Sequence, residues 1–201
     1  MTVCSVLNVE DYVTRNLQLS DITACHLLSL DLAKGFEKIS FRLLQEKLHH
    51  NDIDPFLTSF VCNYLTRRFQ RTRWKTAYSD LLPVLSGVPQ GSSLSSVIFA
   101  YFTSDLILRS ANSNICLTKY ADDILIAGTI SKTTTSSPIL PVYFDVIDWA
   151  VRKKMLIKEE KCAQIFITAS KSYDFSCYSI PSLPVQTSLK FLGVIIDEHL
   201  K

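Results

Sequence analysis

No Cys-x-x-Cys pair occurs in this chain. Its six cysteines, Cys4, Cys25, Cys62, Cys116, Cys162 and Cys177, lie at least 15 residues apart, which excludes zinc-ribbon and redox-motif spacing. Free thiols in a reducing compartment are the simplest account. Long hydrophobic runs are also missing. The longest unbroken apolar stretch, Val97 to Phe102, has six residues, where a membrane helix needs about 20. The start has no basic segment followed by an apolar one, so no secretory signal is expected. Charge of one sign is lacking too: 21 Lys and Arg against 19 Asp and Glu leave a net +2. Any surface for a polyanion must therefore be local. No internal repeat or composition shift marks a domain boundary. What remains is 201 residues, 47% hydrophobic and 20% charged, enough to bury a sizeable core. The expectation is an intracellular chain without a membrane span, in cytoplasm or nucleus.

Periodicity and punctuation give a coarse order of elements. Val6 to Leu19 reads as a helix with a thin apolar stripe, and Cys25 to Leu32 as a mostly buried strand carrying Asp31 at its end. Ser40 is an N-cap candidate for a helix through His49. Asp54-Pro55 is a stronger start signal; the helix it opens is expected to put Phe56, Phe60, Val61, Tyr64 and Leu65 on one face. From Phe69 to Leu85 the pattern is short and extended, with a turn expected at Ser79-Asp80. Gly87 to Gly91 must be loop, and Ser92 or Ser93 can cap a helix from about Leu94 to Ser110. A Thr/Ser-rich connector from Thr129 to Ser137 precedes a helix ending near Lys154. Ala163 to Thr168 and Leu189 to Asp197 read as strands. This order predicts an α+β fold, helices packed on one face of a mainly antiparallel sheet.

Tyr120-Ala121-Asp122-Asp123 stands between the apolar runs Ile115 to Leu117 and Ile124 to Ala127. That is the pattern of a short hairpin with two carboxylates at its tip. Like charges held close repel and raise a pKa; a divalent cation offsets that repulsion in two-metal phosphoryl-transfer sites. Alone the pair is weak, since Asp-Asp is common in solvated turns. Asp31 supplies a third carboxylate from a separate strand, and an antiparallel sheet can make such strand ends neighbours. Because side chains alternate along a strand, Asp122 is expected to have the main bridging role and Asp123 a looser one.

Five blocks now point to one family. Leu30-Asp31-Leu32-Ala33-Lys34-Gly35-Phe36-Glu37-Lys38 is the first, and Ser86-Gly87-Val88-Pro89-Gln90-Gly91-Ser92-Ser93-Leu94 with Phe99 and Asp105-Leu106 the second. Tyr120-Ala121-Asp122-Asp123 is the third, Trp149 through Lys161-Cys162 the fourth, and Lys190-Phe191-Leu192-Gly193-Val194 the fifth. In this order and spacing they resemble the reverse transcriptase domain of non-LTR (LINE-type) retrotransposons. The resemblance runs from about Leu28 to Asp197. It implies a polymerase palm at 25–197, with 1–24 a remnant before the first catalytic strand and 1–201 a single partial domain lacking the thumb and most of the fingers.

The resemblance also implies roles. Asp31, Asp122 and Asp123 would be the catalytic, metal-holding carboxylates, with the Leu32 backbone carbonyl as a further ligand for two Mg²⁺ ions, or Mn²⁺ in their place. Phe36 would exclude a ribose 2′-hydroxyl, Gln90 and Gly91 would lie against the nascent pair and template, and Lys161 would sit near the leaving pyrophosphate. Implied partners are an RNA template, a DNA primer and deoxynucleoside triphosphates. The run Arg67, Arg68, Arg71, Arg73 and Lys75, with Phe69 and Trp74 interleaved, would contact template or primer phosphates or form a solvated strand face. Glu37, Ser95-Ser96 and Ser104 depart from the family pattern, at positions not expected to touch metal. The implied activity is RNA-directed DNA synthesis; the competing reading is an inactive retroelement remnant that binds nucleic acid or protein at most.

Overall fold

A twelve-residue segment rich in apolar side chains, Ile22–Ala33, forms the strand around which the chain is organised. The structure is a computed structural model and describes residues 2–168 and 174–200. In chain order the elements are α1 (Thr2–Leu17), β1 (Ile22–Ala33), a 3₁₀ turn at Gly35–Glu37, α2 (Phe41–His50) and α3 (Pro55–Leu65). Four two-residue strands follow: β2 (Phe69–Gln70), β3 (Arg73–Trp74), β4 (Ala77–Tyr78) and β5 (Leu82–Pro83). Then come α4 (Ser93–Phe102), β6 (Ile115–Tyr120), β7 (Asp123–Ser131), α5 (Leu140–Lys153), β8 (Leu156–Ile157), a 3₁₀ turn at Glu159–Lys161 and β9 (Ala163–Thr168). A 3₁₀ turn at Ser176–Tyr178, β10 (Ser188–Phe191) and β11 (Val194–Asp197) end the series.

Internal contacts gather into two units. The first comprises Met1–Ala33, Leu106–Val151 and Leu156–Lys201; the second comprises Lys34–Asp105 and Arg152–Met155. Interleaved segments build both, which is why no composition shift along the chain announces them.

In the first unit the sheet order is β6-β7-β1-β8, and β9 also pairs with β1. All these pairings are antiparallel. The α+β class and the antiparallel sheet are as the sequence predicts. Burial, however, reaches both faces of β1: Ala24, Cys25, Leu27, Leu28 and Leu30 are all buried. One face is packed by Val9 and Val13 of α1 against Cys25, Leu27, Leu125, Ala127 and Ile165, with Leu189 and Phe191 closing it. A cluster of Ala24, Ile130, Phe166 and Tyr178 lies on the other. Because alternate residues share a face, Asp31 and Asp123 belong to the α1 side, in step with Cys25, Leu27, Leu125 and Ala127. His26 is buried, stacked on Phe166 at 4.3 Å and 2.9 Å from Gln164 Oε1. Gln164 in turn donates to the carbonyls of Ile180 and Leu183. Burial pushes the His26 pKa down to about 4.

The second unit shows how local signals set helix ends. Ser40 Oγ accepts from Leu43 N–H, and Asp54 Oδ1 accepts from Phe56 and Leu57 N–H with Pro55 at the first helical position. Lys47 donates to the Tyr101 and Phe102 carbonyls and to Ser104 Oγ, and its ammonium faces Asp105. Lys153 pairs with the same carboxylate. Two nearly buried cations thus sit at the C-terminus of α4, where the helix dipole favours positive charge.

Several sequence expectations are corrected. α4 stops at Phe102, not near Ser110, because Thr103 Oγ1 turns back onto the Phe99 carbonyl while Lys47 takes the following ones. Ser92 is its N-cap, but makes no capping bond with its side chain; its hydroxyl accepts from Tyr64. The α3 face is divided: Val61 and Leu65 are buried, whereas Phe56 is 82% exposed and Phe60 half exposed. The turn expected at Ser79-Asp80 falls at Lys75-Thr76, between the paired Trp74 and Ala77; Ser79 is held in the flank by bonds to Thr72. The single strand Leu189 to Asp197 is a hairpin, since Leu192 and Gly193 both have positive φ (+52° and +84°), as a tight two-residue turn requires.

Candidate active site

β6 and β7 pair as far as Tyr120 and Asp123, so Ala121 and Asp122 form a two-residue turn. Ala121 has φ +51°, a conformation that costs an alanine about 1–2 kcal/mol. Such strain is retained where surrounding structure imposes it. The β1–β7 register then sets Asp31 directly opposite Asp123. Leu32 N–H donates to the Asp122 carbonyl at 3.2 Å, so residues 32 and 122 form the hydrogen-bonded rung. Asp31 and Asp123 are left as the narrow pair beside it, with Cα atoms about 4.5 Å apart in such geometry. N–H and C=O of one strand residue point to the same edge, so the Leu32 carbonyl faces the turn that carries Asp122.

Charge is concentrated here. The Asp123 carboxyl is held above the ordinary aspartate range, first by burial and then by the charges of Asp122 and Asp31, with Lys161 opposing. Lys161 Nζ lies 3.3 Å from Asp31 Oδ2, positioned by the 3₁₀ turn of residues 159–161. The Asp31 carbonyl accepts from Lys158 N–H at 2.9 Å, tying that turn to β1. Register thus gives Asp123 the closer relation to Asp31, and Asp122 the turn position; alternation along one strand could not reveal this because Asp122 is not in a strand.

Within the second unit, Phe36 stacks on Phe99 at 4.4 Å with rings 12° from parallel. The loop before α4 is fastened to the Phe36 turn by four bonds. Val88 N–H donates to the Phe36 carbonyl and Gly87 N–H to that of Ile39, both at 2.9 Å. Ser86 Oγ donates to the Glu37 carbonyl at 2.9 Å, and Gln90 Nε2 to Glu37 Oε1 at 3.3 Å. Gly87, at φ +80°, passes so close that a Cβ would stand 2.6 Å from the Glu37 backbone. Gly91, at φ +86°, has open space around it.

A profile of the family described as reverse transcriptase (RNA-dependent DNA polymerase) matches residues 5–196. The chain belongs to the reverse transcriptase family. Among curated relatives, the RNA-directed DNA polymerase from mobile element jockey of Drosophila funebris is 29% identical over 184 residues, covering 85% of this chain and 19% of that protein. The probable RNA-directed DNA polymerase from transposon X-element of Drosophila melanogaster is 24% identical, covering 88% and 20%. The chain therefore spans about a fifth of the length of these relatives. Telomerase from Candida tropicalis, in complex with a fragment of telomeric RNA, superposes with a TM-score of 0.63 at 14% identity, over 96% of this chain and 31% of that one. The apo telomerase of the same organism gives 0.61. At that identity the likeness is one of fold.

Reverse transcriptases work with a divalent cation, and the donor chemistry of this hairpin fits one: hard carboxylate oxygens and a backbone carbonyl, of the kind that ligate Mg²⁺. After burial, the charges of Asp122 and Asp31 raise the Asp123 pKa, and repulsion of that kind is what a cation relieves. Among the described residues, no three acidic, histidine or cysteine side chains converge as they stand on a single ion position. The backbone brings Asp31 and Asp123 together, and Lys161 faces Asp31.

In this reverse transcriptase chain the basic run divides. Arg68 is used internally: its guanidinium donates to the Leu65 and Gly87 carbonyls and lies over the Phe41 ring. Arg67, Arg71, Arg73 and Lys75 are exposed. Sequence reading missed the ledge made by the Glu37 backbone; only Gly87, a glycine whose φ and spacing admit no Cβ, signalled it.

Proposed function

We propose that the chain supplies the palm of an RNA-directed DNA polymerase, adding a deoxynucleotide to a primer 3′-hydroxyl on an RNA template. The observation that carries this reading is the Asp31–Asp123 rung with Asp122 in the adjoining turn. Asp31, Asp122, Asp123 and the Leu32 carbonyl would hold the divalent ions, Mg²⁺ or Mn²⁺, which would supply charge neutralisation for the primer hydroxyl and the leaving pyrophosphate. Asp123, whose ordinary affinity for a proton is already raised, is the carboxylate most relieved by a cation. Lys161 holds Asp31 until then and donates a hydrogen bond to the pyrophosphate side afterwards. Phe36, backed by Phe99, presents the ring that a ribose 2′-hydroxyl would strike. Gln90 and Gly91 contribute to the template side, where the missing side chain of Gly91 leaves room for a base pair.

Primer extension on an RNA template tests this. Weak extension at most by the wild-type chain, since thumb and most of the fingers are not part of it, and none by Asp31→Asn and Asp123→Asn, is the expected result. Equal extension by all three would reject the mechanism; no extension together with no cation binding would favour the inactive-remnant reading.

A further inference from the structure

α3 carries no Asp, Glu, Lys, Arg or His in its 11 residues. Its inner side, with Thr58, Val61 and Leu65, is buried within the second unit. With about 3.6 residues per turn, Phe56 and Phe60 stand on the opposite side, and Leu57 borders them. Phe56 is 82% exposed, Phe60 50% and Leu57 48%. Single exposed apolar side chains are ordinary, but these three share one outer face, where only Ser59 and Asn63 are polar. A helix that is apolar all round is a buried helix, so this face is built to be covered.

Charge returns only at the two ends. Asp52 and Asp54 precede the helix; Arg67 leads from it into the ribbon made by β2 to β5, and all three are exposed. Asp54 is engaged as the N-cap by Phe56 and Leu57 N–H. Among the described residues, neither Asp52 nor Arg67 has an ion-pair partner. The segment is therefore acidic before α3, uncharged along it and basic just after it.

That order is complementary to itself when reversed. A two-fold axis beside Phe60 sets two copies of α3 antiparallel, with Phe60 against Phe60 of the partner subunit. Each acidic end then lies beside Arg67 of the partner subunit, and the contact occurs twice, as an isologous interface requires. A parallel pairing would instead oppose like charges at both ends. The three apolar side chains offer on the order of 400 Å² per copy, from the area that such side chains bury. With the flanking polar positions the contact reaches roughly 1,200 Å² in total, the lower bound of specific interfaces. This is enough for a weak dimer and too little for an obligate one.

We infer that the outer face of α3 is an interface between two copies of this chain, packed antiparallel about Phe60. It uses neither the carboxylate site nor a nucleic acid, so it stands apart from the polymerase reading.

The test is sedimentation equilibrium of the full chain in chelator, up to about 500 µM. The expected result is a single monomer–dimer equilibrium, half-associated at roughly 10–100 µM. Phe56→Lys/Phe60→Lys should weaken it by about a hundredfold or more, with far-UV dichroism and the emission of buried Trp149 unchanged. Ile107→Lys/Val151→Lys, the same charge at two other exposed apolar sites, should dimerise as wild type. Arg67→Glu should weaken the dimer by roughly threefold to tenfold, and Asp52→Lys/Arg67→Glu should regain it, as only antiparallel pairing allows. These charge variants keep the test open should the lysine pair disturb the helix. A monomeric wild type throughout would overturn the inference and leave the face to a different protein. So would open-ended aggregation in place of a dimer, equal association of wild type and the phenylalanine variant, or no recovery in the charge-swapped chain.

Discussion

Asp123 is partly buried and faces the charges of Asp122 and Asp31. Its carboxyl has a raised pKa in the fold, caused by burial, Asp122 and Asp31 in that order. For an acid with a raised folded value, stability is fully present below the unfolded value, near 3.8, and is lost as pH rises through the folded one. At pH 7 in chelator, Asp123→Asn should therefore melt above wild type. The difference should vanish toward pH 3.8. Adding Mn²⁺ should reverse the order, because only the wild type gains ligation energy. Thermal melts at two pH values with and without cation check all three; a variant less stable than wild type in chelator at pH 7 would contradict the account.

At the scale of elements, the loop before α4 is a fastened strap. A Cβ on Gly87 would stand 2.6 Å from the Glu37 backbone and one on Gly91 would meet nothing, although both have positive φ. Gly87→Ala should cost about 3 kcal/mol or more, through strain and lost strap bonds, and Gly91→Ala about 1 kcal/mol from backbone strain alone. Denaturant unfolding of the two variants measures the contrast, and equal costs would show that the strap does not fix the loop. This element also shows what a sequence can and cannot declare. Ser40 and Asp54 were legible because a cap acts on its own next turn, and β9 because its short run with Ile165, Phe166 and Ile167 lies between Lys161 and Ser170-Lys171. The hairpin at Leu192-Gly193 was not, since a leucine at positive φ breaks the local rule. Nor was the ribbon turn, because Lys75 also has positive φ (+53°), and nothing local requires it. Arg68 read as one more cation in a basic run; its bonds to Leu65 and Gly87 arise only when segments distant in sequence meet.

Across the whole molecule, each unit assembles around chemistry from several segments. In the first, β1, the β6–β7 hairpin and the turn before β9 bring Asp31, Asp123 and Lys161 together across 130 residues of sequence. The carboxylates themselves were legible, since the five ordered blocks fix their positions, but their register was not: pairing Asp31 with Asp123 rather than Asp122 depends on where the hairpin turn falls. Among the described residues, no helix is long and apolar enough to cross a membrane.

The central claim, that Asp31 and Asp123 bind a divalent cation together, is tested most directly by Mn²⁺ titration of the wild-type chain, Asp31→Asn, Asp123→Asn and Lys161→Met, monitored by the paramagnetic resonance signal of the free ion. The account predicts depletion of that signal by wild type, affinity weakened by about tenfold or more in each Asn variant, and affinity equal to or tighter than wild type in Lys161→Met, whose ammonium no longer competes. Indistinguishable Mn²⁺ binding by wild type and both Asn variants would contradict it.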